Sequence, residues 1–262
     1  MKKLLLILTL FSLLQPLPAA AGADDEKGLA IAREADSRDD GFGDFTADMI
    51  MILKNRHGQE SVRKMRVRTL EVNGDGNKSL SIFETPRDIK GTAFLNFTHR
   101  TGDDDQWLYL PALKRVKRIS SRNKSGSFMG SEFAYEDIGS QEVETYTYRW
   151  IRDETYGDKE CFVVEFYPVD SKNSGYTRLV NWIDKDNYRT WKVRYYDRKD
   201  SLLKTLIQSD YRVYLERYWR AHQMNMINHQ NGKNTTLTWS EYSFQAGLKD
   251  SDFNRNSLAR AR

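Results

Sequence analysis

The feature that most constrains this chain is a change of period. From about residue 44 onward, apolar and aromatic side chains recur at every second position, and clusters of Gly, Asn and Asp cut the pattern into short segments. A period of two places alternate side chains on opposite faces of an extended strand. Phe45, Ala47, Met49, Met51 and Leu53 alternate with Asp44, Thr46, Asp48, Ile50 and Ile52. Met65 and Val67 alternate with Lys64, Arg66 and Arg68. Asn73-Gly74-Asp75-Gly76 is a strong hairpin signal, and similar turns stand at 55–58, 101–105, 156–158, 184–187 and 231–232. Further strands are predicted at 94–98, 107–110, 116–119, 143–152, 161–167, 176–184, 188–196, 203–208, 211–219, 224–228 and 235–244. Roughly a dozen sequential strands at short spacing argue a mainly β chain, an antiparallel meander curled into a barrel or half-barrel with an apolar concave face. The 6 Trp, 14 Tyr and 12 Phe, against only 5 Pro, suit strands.

One helix is expected, over 24–39. Asp24 can cap it, Asp25 and Glu26 suit the positive end of its dipole, and Leu29, Ile31, Ala32 and Ala35 supply an apolar side. Gly41 and Gly43 end it. Before it, Met1-Lys2-Lys3, an apolar run from Leu4 to Leu14, two prolines and a stretch of alanines have the layout of a secretory signal peptide. The division expected is a signal peptide over 1–23 and a single domain over 24–262. The apolar run is too short to span a bilayer, and no later stretch replaces it. The formal charge of +4 falls to +2 once Lys2 and Lys3 leave, which gives no footing for nucleic acid.

Residues 120–139 break the meander. Their first half is rich in Ser and Gly; their second half carries Phe128, Met129, Phe133 and Tyr135. A long insertion of this kind is a mobile lid over an apolar cavity, or these four side chains fill the core; the residues support both readings equally. Just before it, Lys114, Arg115, Lys117 and Arg118 continue to Arg122 and Lys124 with no acid among them. This run suits phosphate head groups, a membrane surface or an acidic partner, while a solvated strand remains the commoner fate of such runs. Arg66 and Arg68 could extend the patch.

Chemistry-bearing motifs are few. One cysteine excludes an internal disulfide framework, and Cys161, in an apolar run, reads as a small buried residue. The 73–77 segment lacks the first acid and the closing Glu of a calcium loop. His222 and His229 fall on opposite strand faces. No nucleophile elbow, metalloprotease motif or phosphate loop is present, so nothing argues for an enzyme, and no metal or cofactor is expected.

The segment Gln106-Trp107-Leu108-Tyr109-Leu110-Pro111-Ala112-Leu113-Lys114-Arg115-Val116-Lys117-Arg118-Ile119, with Ser127-Phe128-Met129-Gly130-Ser131-Glu132-Phe133-Ala134-Tyr135-Glu136-Asp137, resembles the bacterial outer membrane lipoprotein-sorting protein family, a branch of the LolA-like superfamily. Thr236-Leu237-Thr238-Trp239-Ser240 and Leu248-Lys249-Asp250-Ser251-Asp252-Phe253 resemble its C-terminus. The resemblance implies an open, strongly curved antiparallel half-barrel of about 11 strands with helices or a lid over the concave face. It implies a periplasmic protein with an apolar cavity for acyl chains, working beside an RND-type exporter.

The reading that follows is a non-enzymatic periplasmic carrier or chaperone for an acyl lipid or lipoprotein. Met49, Met51, Met65, Phe94, Trp107 and Tyr109 are expected in the cavity wall, and Phe128, Met129, Phe133 and Tyr135 in the lid. Lys114, Arg115, Lys117 and Arg118 are expected to meet a head group, membrane or partner. The alternatives are an adaptor for an envelope exporter with a self-filled barrel, and an envelope hydrolase with an unrecognised site.

Overall fold

A computed structural model of the chain describes residues 22–260. Most of the expected leader, residues 1–21, lies outside the described residues. Helix α1 runs over Ala23–Asp39. Thirteen strands follow: β1 (Asp44–Lys54), β2 (Glu60–Leu70), β3 (Lys78–Thr85), β4 (Ala93–Phe97), β5 (Asp105–Leu110), β6 (Arg115–Ile119), β7 (Tyr146–Tyr156), β8 (Lys159–Pro168), β9 (Tyr176–Asp184), β10 (Thr190–Asp197), β11 (Leu202–Tyr214), β12 (Tyr218–Asn228) and β13 (Asn234–Phe244). All thirteen form one antiparallel sheet in the order β6-β5-β4-β3-β2-β1-β13-β12-β11-β10-β9-β8-β7.

That order fixes the architecture. The first and last strands meet in the middle, where Met49 pairs with Trp239 and Met51 with Leu237. The two free edges are therefore β6 and β7, which are consecutive in sequence. The segment between them, 120–145, has to travel from one edge of the sheet to the other. A flat sheet of this size would be roughly 58 Å wide at about 4.8 Å per strand. Yet Phe128 in this segment contacts Phe83 on β3 and Phe94 on β4. Glu132 bonds Thr235 on β13 and Asn228 on β12, and Asp137 bonds Tyr176 on β9 and Lys204 on β11. Only a strongly curled sheet brings so many strands within reach of one short segment. The fold is the open, curved antiparallel half-barrel expected, with thirteen strands rather than about 11.

Strand boundaries also differ where the residue types conceal a turn. The segments expected as separate strands at 203–208 and 211–219 belong to one strand, β11, and its partner β12. Ser209-Asp210 does not turn; Asp210 adopts a left-handed φ of 51° inside the strand. The real turn lies at Leu215 and Glu216, at φ 48° and 59°, positions that Gly or Asn usually mark. At β7, Val143–Thr145 form a short 3-10 turn before the strand begins.

Helix α1 packs on edge strand β7. A Cβ at Gly28 would lie 2.8 Å from the backbone nitrogen of Trp150, so glycine is what permits this approach. Ile31 and Ala32 are buried against the sheet, and Lys27 sits 3.4 Å over the Trp150 ring. The helix is preceded by Gly22 in extended conformation with no side-chain cap, so Asp24 lies inside the first turn rather than capping it. On the outer face of β3 to β5, the C-terminal residues Phe253 and Leu258 bury Leu80, Ile82, Leu95 and Trp107.

Candidate functional site

The concave face is lined by Met49, Met51, Met65 and Phe94, all buried and all in one cluster with Phe128 and Phe133. Their alternation places them inward, as the period of two predicts. Trp107 and Tyr109 are not part of this wall. They pair with Leu95 and Ala93 on the outer face, under the C-terminal residues. The segment Trp107-Leu108-Tyr109 alternates as expected, but its inward member is Leu108. The strand register places the aromatic pair on the outer face.

The crossing segment forms a plug. Its tip is a small hairpin: Phe128 N–H donates to the Phe133 carbonyl at 2.7 Å, and Met129 and Gly130 turn the chain at φ 51° and 79°. Phe128 is completely buried, its ring centre 5.1 Å from that of Phe94 and 5.6 Å from that of Tyr135. Phe133 is buried as well; Met129 and Tyr135 are partly so. This segment is thus seated in the barrel rather than standing over it.

Polar groups from five strands staple the plug down. The Lys204 ammonium donates to the Glu132 carbonyl at 2.8 Å and to the Asp137 carboxylate at 2.6 Å. Tyr176 donates to Asp137 at 2.9 Å, and Asn228 to the Glu132 carboxylate at 2.7 Å. Glu132 N–H donates to the Thr235 hydroxyl, and Gln106 to the Tyr135 carbonyl. Glu136 accepts from Ser174 and Gly175; burial, and then its neighbour Asp137, raise its pKa. None of these staples was anticipated. One signal existed: Lys204 and Leu206 share an inward face, so a lysine stands where the pattern asks for an apolar side chain.

The basic run lies along the edge strand β6. Lys114 ends a 3-10 turn in a left-handed conformation, and Arg115, Lys117 and Arg118 are exposed. Arg118 pairs with Asp105 at 2.6 Å. Charged side chains on a free edge also discourage pairing with another sheet. Arg66 and Arg68 do not extend this run. They stand on β2, with three strands between it and β6, and Arg66 pairs with Glu84.

A cleft of about 840 Å³ opens beside the C-terminal half of α1. Small-molecule sites commonly occupy about 300–1,000 Å³. Its apolar lining includes Ala32, Val143, Tyr148, Phe166 and Ile183, which continue into the interior cluster. Its rim carries Asp36, Asp40, Glu142 and Arg100. Burial, and then repulsion from Asp40 and Glu142, push Asp36 up to about 6. Cys161 is remote from this cleft, buried on the outer face of β8, where burial pushes its thiol up to about 11.

The comparisons bear on the whole assembly. A family model described as "Uncharacterized protein" matches residues 75–260. The crystal structure of a domain from Vibrio parahaemolyticus, described as an outer membrane lipoprotein-sorting protein domain, is 58% identical with a TM-score of 0.88, covering 90% of this chain and 100% of that one. A DUF1329 family protein from Desulfovibrio piger is 31% identical with a TM-score of 0.85, covering 90% and 99%. A LolA superfamily protein from Nitrosomonas europaea, 21% identical over 87% and 98% with a TM-score of 0.70, shares the fold. No curated protein matches the chain.

Proposed function

This chain belongs to the DUF1329 family, the family of the outer membrane lipoprotein-sorting protein domain, and from that premise we propose that it is a periplasmic carrier or chaperone for an acylated ligand. The observation that carries the reading is the pairing of an apolar concave face with a plug held by polar staples. The seated plug is fixed by a buried Lys204–Asp137 pair as well as by apolar contact. A plug that leaves and returns gains from anchors that fix its seated position.

The exchange is energetically reasonable. Withdrawing Phe128 and Phe133 forfeits about 1.5–3 kcal/mol of burial for each ring, and parting Lys204 from Asp137 about 3–5 kcal/mol more, whereas a chain of about 14 carbons regains about 0.8 kcal/mol per CH₂. The ligand enters by the cleft beside α1 and extends into the space the plug vacates. The enclosed chain needs no enzymatic step. Lys114, at the turn before β6, and Arg115 and Lys117 on β6 would face a head group, membrane or delivery partner, of which an RND-type exporter is one.

A second reading has an observation in its favour. Phe128 is fully buried, as in a barrel filled by its own side chains. Such a protein would be an adaptor in an envelope complex. Titration of the mature chain with an environment-sensitive fluorescent acyl probe of neutral head group separates the two. Saturable enhancement, displaced by an unlabelled neutral amphiphile below its micelle concentration, is expected for the carrier. Flat fluorescence would leave the adaptor.

A further inference from the structure

The cleft beside α1 carries negative charge that the protein leaves unneutralised. Asp36, Asp39 and Asp40 all lie at the C-terminal end of the helix, where the dipole is itself negative and acids are disfavoured. Asp39 is taken up by Arg220. Among the described residues, Asp36 and Asp40 have neither a side-chain hydrogen bond nor an ion pair. Arg38, the basic residue of the last turn, pairs with Glu34 and donates to the Asp186 carbonyl instead. Across the cleft Glu142 accepts from Ser140 and lies 3.7 Å from Arg100, the cation that lines this cleft beside Asp36 and Asp40. Arg100 Nε itself has no hydrogen-bond partner. Residues that break a local rule without visible compensation are expected at functional positions.

The floor of the same cleft is apolar, formed by Val143, Tyr148, Phe166 and Ile183. We infer that the cleft selects an amphiphile with a cationic, ammonium-type head, its alkyl chain on this floor and its head between Asp36, Asp40 and Glu142. The selection rests on the carrier reading above. Charge complementarity argues it: an anionic head would meet the unpaired carboxylates of Asp36 and Asp40, and Arg100, the one cation of the lining among the described residues, already faces Glu142, whereas an ammonium supplies the missing counter-charge. The basic strand β6 lies on the sheet edge and contributes nothing to this rim.

The test uses three amphiphiles with the same dodecyl chain, each below its micelle concentration in low salt: dodecyltrimethylammonium, dodecyl maltoside and dodecyl sulfate. Calorimetric titration of the full mature chain is expected to show the ammonium binding at least ~tenfold tighter than the sulfate, with the gap shrinking at high salt. In the double variant D36N/D40N the two should come within about twofold. Equal affinities in the wild type, a preference for sulfate, or a uniform loss for all three heads in the double variant would overturn the charge assignment while leaving the carrier reading standing. Binding of none of the three would remove both.

Discussion

Lys204 reaches Asp137 at 2.6 Å with the two side chains only 4% and 5% exposed, so a single buried ion pair ties the inner face of β11 to the segment that crosses the barrel. The lysine also lies 5.0 Å and 5.1 Å from the ring centres of Tyr195 and Tyr176. Breaking a buried pair by removing one partner leaves an uncompensated charge and costs about 3–5 kcal/mol. Lys204→Met is therefore expected to lower stability by that amount, read from the urea midpoint at constant slope. The further change Asp137→Asn should recover part of the loss. A loss near zero in K204M would mean that the pair does not anchor the plug.

Gly28 sets how closely α1 can approach β7. Ala at this position would drive its Cβ against backbone atoms of Arg149 and Trp150, which cannot swing away as a side chain would. Gly28→Ala is expected to destabilise by about 1–3 kcal/mol, despite the higher helix propensity of alanine. Hydrogen exchange of α1 amides should rise in this variant before exchange in β1 and β13 does. Unchanged melting would contradict the docking described.

Asp36 is a carboxylate held above its ordinary value of 3.8, at about 6, by burial and by Asp40 and Glu142. The folded protein thus binds this proton more tightly than the unfolded chain, and the resulting penalty grows as pH rises from about 4 to 6. Asp36→Asn removes it. Because the group is partly exposed, solvent screening reduces the gain to about 1 kcal/mol, or roughly 2–4 °C in melting temperature. The gain should be present at pH 7.5 and absent at pH 3.5. A variant less stable than wild type at pH 7.5 would contradict this reading of the cleft.

His99 and Asp75 give an opposing pair of titrations. A hydrogen bond from His99, and then one from the Arg100 N–H, hold Asp75 down at about 2. Burial alone would lower His99, but Asp75 and Asp105 outweigh it and raise its pKa above 6.5. The histidine contribution is complete below 6.5 and is lost as pH rises through the folded value; the aspartate contribution is complete above about 4 and is lost as pH falls toward 2. The pair thus stabilises most between about pH 4 and 6.5. Thermal melts of His99→Gln should lose less stability than wild type between pH 6.5 and 8. Parallel curves for the two proteins would contradict the pairing.

Much of this arrangement can be read from residue order, and the misses have physical causes. Alternation places Met49, Met51, Met65 and Phe94 inward because one face of each strand must be buried. It fails at Trp107 and Tyr109, since bulk alone does not tell a concave wall from an outer face covered by the C-terminal residues. Phe128, Met129, Phe133 and Tyr135 signal a buried contact without saying whether the segment covers the cavity or enters it. The answer depends on sheet order, because 120–145 joins the two free edges. The Leu215-Glu216 turn is silent in composition, which hides the length of β11 and β12. The cleft rim is distributed over α1, the loop after β4 and the 140–143 segment, so no local motif announces it. Only Lys204, an inward lysine in an apolar strand, offered a local sign of the staples.

The most direct test of the account is native mass spectrometry, with lipid extraction, of the mature chain purified gently from the periplasm. The account predicts a population carrying one acyl-chain species, released when the chain is denatured and identifiable in the extract. A protein that is wholly unliganded under these conditions, and that also fails to take up the fluorescent acyl probe, would contradict it.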